Sequence, residues 1–175
     1  MKDYLELFER IGRLKSTDRE GWKRVGIEDV ESVADHSFRS AFIGLVLGER
    51  SGLDTDKIVK MLLLHDLAEV ETGDITPHEG ISKKEKRALE KGALEDLFDP
   101  IEEKEGLIEL WDEFETGQSM EAKVARDIDT LEMILQAVEY QEEYPEKDLS
   151  EFIEEKEKGF ETSQIENLVE NLTYG

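Results

Sequence analysis

The side chains most able to do chemistry in this 175-residue chain are three histidines, His36, His65 and His78, set among 45 Asp and Glu with no cysteine. His65 and Asp66 are adjacent inside the apolar run LLLHDLAEV. A carboxylate in such a setting is costly unless it is paired, hydrogen-bonded or bound to a cation. A metal ion removes that cost and gives both side chains a use. Neighbouring positions on a helix differ by about 100° in direction, so both can reach one ion from different angles. Glu69 lies four residues after His65, on the same side, where it could deprotonate a water beside the ion. Asp74 follows in the turn TGDI, and VADHS presents His36 at the start of another helix. Imidazole and carboxylate donors together suit Mn²⁺, Co²⁺, Fe²⁺ or Zn²⁺. A His-rich two-metal centre needs more imidazoles than the chain has, so one ion is expected. His78, beside proline in TPHEG, reads as a surface loop residue. The plainer alternative is a buried histidine hydrogen-bonded to an aspartate, with no metal.

The elements that must position these residues all read as helices. Asp3 and Glu6 can form a capping box for a first helix marked by Leu5, Phe8 and Ile11. Residues 16–34 show no sustained period and contain Gly21 and Gly26, which predicts a long ordered loop of the kind that carries function. A second helix spans about Asp35–Arg50, with Phe38, Phe42 and Leu45 expected on its buried face. A third begins at Asp54 and runs continuously through His65 and Asp66 to Gly73. Ser82 and Glu85 box a fourth helix that stops at Asp99-Pro100. A fifth covers roughly Glu102–Glu115, and a sixth runs from Ser119 to Tyr144, before Pro145. An acidic helix near 150–159 and another from Ser163 complete the chain. No alternating strand pattern occurs, so the expected fold is all-α, with about six to eight helices.

Composition bounds the partners. The net charge is −23, with 38% hydrophobic and 38% charged residues. Apolar residues recur at helical spacing between the charges, which reads as solvated helix faces on a packed core. So acidic a chain is a poor partner for nucleic acid or anionic membranes, which call for a basic surface. A small anionic substrate fits only if its pocket supplies local positive charge. The acidic, amphipathic N-terminus does not resemble a signal peptide, no segment is long enough to span a bilayer, and a cytoplasmic protein is expected.

Taken in order, R-x-G-W at Arg19–Trp22, ESVADHS at Glu31–Ser37, HDLAEVETGDI at His65–Ile75 and EAK…D…LEMILQAVEY from Glu121 form a set. In order and spacing that set resembles the HD-domain 5′-deoxynucleotidase family, compact helical enzymes that use a divalent metal to remove the 5′-phosphate from deoxynucleoside monophosphates. The resemblance runs from about Leu14 to Tyr140. It implies one HD domain over residues 1–175, with a metal-site core at about 14–144 and acidic C-terminal helices at about 148–173. It makes His36, His65 and Asp66 metal ligands. Its spacing of EAK, five residues, Asp, then LEMILQA selects Asp129 as the fourth. A helical wheel instead places Asp127 nearer the apolar stripe of Val124, Ile128, Leu131 and Leu135, so Asp127 stays open as the alternative.

The same resemblance implies metal-assisted hydrolysis, with Glu69 activating water and Asp74 protonating the leaving group or touching the sugar. Arg19, Lys23 and Arg24 flank Trp22 in the loop before His36 and are the candidate phosphate-binding cations, with Trp22 a wall of the pocket. Bacterial members carry arginine directly before that tryptophan, where this chain has Gly21. Trp111 reads as core or interface. A homodimer is implied by the family. Two other readings stand beside this one: an HD enzyme acting on triphosphates or cyclic phosphodiesters, and a non-catalytic helical interaction module.

Overall fold

The computed structural model describes residues 2–154, 159–163, 165 and 166. They form helices joined by turns and short 3-10 segments, with no strand among them, so the fold is all-α as expected. Three helices make the frame: α3 (Val33–Ser51), α4 (Thr55–Leu64) and α8 (Met120–Glu143) pack mutually. Between them Ala41, Ile58, Met61, Leu62, Ala125, Ile128 and Ile134 form the largest core cluster. Two further helices, α6 (Lys83–Leu97) and α7 (Lys104–Thr116), close a second cluster around Leu94, Leu97, Phe98 and Trp111. That cluster also takes in Leu7 of the N-terminal α1 (Lys2–Ile11).

Local chemistry sets the helix ends. Ser32 and Asp35 form a reciprocal capping box at the start of α3, and Ser82 and Glu85 do the same for α6. Asp54 accepts from Lys57 N to cap α4, and Ser119 accepts from Ala122 N to cap α8. Asp3 lies inside the first turn of α1 and is not its cap. Of the acidic helix expected near 150–159, the described part is the short α9 (Ser150–Ile153); most of the last expected helix lies outside the described residues.

Two expectations are corrected. The first concerns α3. Phe38, Phe42 and Leu45 do not face the core: they are 73%, 58% and 47% exposed, and Val46 joins them at 48%. The buried face is the small-residue one, Val33, His36, Ser40, Ala41, Gly44 and Gly48. A Cβ at Gly44 would fall inside van der Waals contact of Leu62 Cδ1, and one at Gly48 would lie 2.9 Å from Thr55 Cγ2. Periodicity identifies a stripe of large apolar residues; it does not say that the stripe is the side facing this chain's own core.

The second concerns the helix holding the His-Asp pair. It is not continuous. Helix α4 ends at Leu64, residues 65–68 form turns, and a one-turn α5 (Glu69–Thr72) follows. The bonds Leu67 N to Leu64 O (3.1 Å), Glu69 N to Asp66 O (3.0 Å) and Val70 N to Leu67 O (3.4 Å) are of the tighter i to i+3 kind. In that winding, positions three apart eclipse, so Glu69 comes over Asp66 instead of His65. Gly73 ends α5 at φ 72°, a conformation that a side chain resists.

The loop between α1 and α3 holds a 3-10 turn (Gly12–Ser16) and a five-residue α2 (Glu20–Arg24). It is stapled across its base by Arg19 N to Glu31 O and Val33 N to Thr17 O. Trp22, 2% exposed, anchors it by packing on Tyr140 and Phe152.

Candidate metal centre

His36 enters from the first turn of α3, His65 and Asp66 from the turn after α4, and Asp129 from the middle of α8. Their donor atoms converge. His36 Nε2 lies 3.2 Å from His65 Nε2, 3.0 Å from Asp129 Oδ1 and 3.7 Å from Asp66 Oδ2. His65 Nε2 lies 3.2 Å from Asp66 Oδ2 and 3.6 Å from Asp129 Oδ1. Donor atoms of His36, His65 and Asp66 lie within 4.8 Å of one another, and Asp129 Oδ1 adjoins both imidazoles, a set of residues that could hold a divalent ion.

The far side of each ring is engaged. His65 Nδ1 bonds the carbonyl of Leu62 at 2.8 Å, and His36 Nδ1 bonds Glu132, which is fully buried. With Nδ1 donating on the far side, Nε2 is the nitrogen each ring turns toward the common point, and it can offer a lone pair there once its own proton is displaced. Arg39 fixes Glu132 in turn, Nε to Oε1 at 2.7 Å. Behind His65, Trp111 Nε1 donates to the His65 carbonyl at 3.1 Å, and the Phe114 ring packs at 5.2 Å. These contacts hold the rings in place before any ion arrives.

The electrostatics agree. Burial opposes charge on His65, yet Asp66 and Asp129 outweigh it and lift the imidazole well above its ordinary range. Burial and Arg19 likewise oppose charge on His36, and bonds to Asp129 and Glu132 prevail. Asp66 and Asp129 are lowered despite burial, by the histidines and, for Asp66, by Arg19. Carboxylates that favour the charged form of both imidazoles would equally favour a cation placed among them.

The centre forms the floor of a cleft of about 600 Å³, lined among others by Arg19, Trp22, Glu69, Asp74, Lys86 and Phe152. Arg19 Nη1 reaches Asp66 Oδ2 at 3.1 Å. Glu69 is 2% exposed, and its Oε2 has no hydrogen-bond partner among the described residues. Burial, Asp66 and Asp74 raise its pKa well above the ordinary carboxylate range. Asp74 Oδ2 accepts from Glu20 N at 2.7 Å, tying the mouth of the cleft to the start of α2. Trp22 turns its indole N–H away to Glu31 Oε1 at 2.9 Å, leaving the ring as wall.

Other expected residues stand apart from the centre. Lys23 pairs with Asp18 and Glu20, both at 2.8 Å, beside a neighbouring surface depression. Arg24 pairs with Glu151 and lies over the Phe152 ring at the cleft rim. His78 is exposed at the mouth. Asp127 faces away: it accepts from Glu161 N at 3.0 Å and from Thr162 N at 2.8 Å.

Two residues of the site escape the sequence reading. Glu132 sits inside LEMILQA, and a carboxylate in an apolar run is the same signal that exposes His65-Asp66. Lys86 is hidden in KKEKR, where nothing separates it from its solvated neighbours.

Comparison with known proteins follows the same line. The HD domain family model matches residues 11–169. The chain is 41% identical over 152 residues to the 5′-deoxynucleotidase HDDC2 of Dictyostelium discoideum, covering 82% of this chain and 80% of that protein. It is 36% identical over 174 residues to the human 5′-deoxynucleotidase HDDC2, covering 98% and 85%. Among solved structures, a conserved hypothetical protein from Pyrococcus furiosus matches with a TM-score of 0.82 and 33% identity, over 97% of this chain and 98% of that one.

Proposed function

The chain belongs to the HD domain family, and from that membership we propose that it is a metal-dependent 5′-deoxynucleotidase, hydrolysing deoxynucleoside monophosphates to nucleoside and phosphate. The observation that carries the reading is the convergence of His36, His65, Asp66 and Asp129 on the floor of a cleft large enough for a nucleotide. These four residues would hold one divalent ion, drawn from Mn²⁺, Co²⁺, Fe²⁺ and Zn²⁺ by the mixed nitrogen and oxygen set. Such an ion supplies Lewis acidity toward a phosphate oxygen and lowers the pKa of water.

The remaining steps fall to the chain's own residues. Glu69 is the proton carrier. A carboxylate raised by burial, Asp66 and Asp74 is, in its ionised form, a stronger base than an ordinary one, so it can take the proton of the attacking water. Water oxygen bonds to phosphorus as the bond to the sugar 5′-oxygen breaks, and that oxygen must be protonated as it leaves. Asp74, at the cleft mouth, is placed for that proton or for the sugar. Arg19 holds Asp66 in place and puts positive charge beside the phosphate position. Trp22, Met133 and Phe152 give the cleft an apolar wall against which a base can stack. The proposal extends to a homodimer, supported by the exposed apolar stripe on α3.

The test is a phosphate-release assay over ribo- and deoxynucleoside monophosphates, beside metal analysis of the purified protein. About one equivalent of ion, phosphate release that chelation abolishes, and a fall in kcat of about 10²–10⁴-fold in Glu69→Gln with the ion retained are expected. Release of triphosphate or of a linear nucleotide from other substrates, with none from monophosphates, would replace this reading with another phosphohydrolase.

A further inference from the structure

The cleft is short of positive charge for the substrate it is proposed to take. Asp66, Glu69, Asp74 and Asp129 all line it, and a phosphate monoester brings roughly two further negative charges. Of its cations, Arg19 is engaged with Asp66, and Arg24 with Glu151 at the rim. Lys23 lies outside, between Asp18 and Glu20. Lys86 adds a cation beyond Arg19, carried by a different element. It comes from the first turns of α6, on the side of the cleft formed with Glu69, Asp74 and Ile75.

Its ammonium is positioned but not used up. Nζ donates to the Ile75 carbonyl at 2.9 Å, which fixes its direction, and lies 3.4 Å from Glu90 Oε1, a long pair. An ammonium has three donors, so at least one is left for a ligand. Burial works against its charge, but Glu90, Glu69, Asp66 and Asp74 together hold it. The last three belong to the cleft, so Lys86 already sits in the field of the site. A compact ammonium suits phosphate oxygens as a point charge.

We propose that Lys86 is a substrate-binding residue that grips the phosphate of substrate and product from the α6 side of the cleft. The assignment rests on the phosphomonoesterase reading above. The alternative is a purely architectural lysine that pins the Ile75 carbonyl, and the two separate experimentally. Lys86→Gln keeps a donor for Ile75 O and loses the charge, whereas Lys86→Arg keeps both.

The experiment measures kcat and KM for a deoxynucleoside monophosphate, inhibition by inorganic phosphate, ion content and melting temperature in the metal-loaded wild type and both variants. Lys86→Gln should raise KM and the inhibition constant of phosphate by about tenfold or more, the loss expected for one charge-assisted bond, at unchanged ion content. Lys86→Arg should return both to within about threefold of wild type. Wild-type KM and phosphate inhibition in Lys86→Gln, or a change confined to melting temperature, would overturn the assignment while leaving the enzyme reading intact. A wild type releasing no phosphate would remove the enzyme reading itself. Should Lys86→Gln fail to fold, Glu90→Gln decides: freeing the ammonium from its 3.4 Å pair should strengthen phosphate inhibition by about threefold or more, and an unchanged inhibition constant sinks the assignment.

Discussion

Asp127 and Asp129 stand two positions apart on α8 and serve different ends of the molecule. Asp129 presents Oδ1 to both histidines, while Asp127 receives the Glu161 and Thr162 amides and the Thr162 hydroxyl at 2.6 Å. Asp129→Asn should therefore lose the bound ion in metal analysis while the fold persists. Asp127→Asn should keep the ion and lower unfolding stability by about 1 kcal/mol in urea, since two part-buried amides and a hydroxyl lose one carboxylate oxygen as acceptor. The reverse pattern would move the fourth ligand to Asp127. Helical periodicity alone was sound about Asp127, which is indeed on the buried stripe; what it could not reveal is that the stripe there meets a returning segment 34 residues downstream. The histidines and Asp66 were legible because charge inside an apolar run calls for an explanation. Lys86 was not, because its role depends on which side of a charged helix overhangs the cleft.

At the scale of elements, α3 owes its place to glycine. Gly44 and Gly48 let it approach α4 closely, with Leu62 filling the space a side chain at Gly44 would need. Gly44→Ala should destabilise the protein by about 1–3 kcal/mol through overpacking, in spite of alanine's better helix propensity. Adding Leu62→Ala should make the alanine at 44 less harmful than it is alone, which a double-mutant cycle in urea reads as coupling. Strict additivity would show that the two side chains do not compete for the same space. Helix existence and capping were readable from Ser82 with Glu85, Asp54 and Pro145. The break at His65 was not, because LLLHDLAEV contains neither glycine nor proline. Its tightening goes with a local bond between His65 Nδ1 and the Leu62 carbonyl and a tertiary one from Trp111 Nε1 to the His65 carbonyl.

At the scale of the molecule, an acidic surface carries an apolar stripe. Among the described residues most acidic side chains are exposed or half-buried, whereas α3 turns Phe38, Phe42, Leu45 and Val46 outward together. A homodimer through that stripe should give a light-scattering mass twice the 20.1 kDa chain. Phe38→Ser with Phe42→Ser should return it to the single-chain mass with ion content unchanged. A wild type that runs at the single-chain mass at micromolar concentration would rule the dimer out. The chain has two tryptophans, Trp22 on the cleft wall and Trp111 bonded behind His65. The protein's intrinsic emission therefore originates at the front and the back of one site, and a titration with ion or nucleotide can be followed by fluorescence without attaching a label.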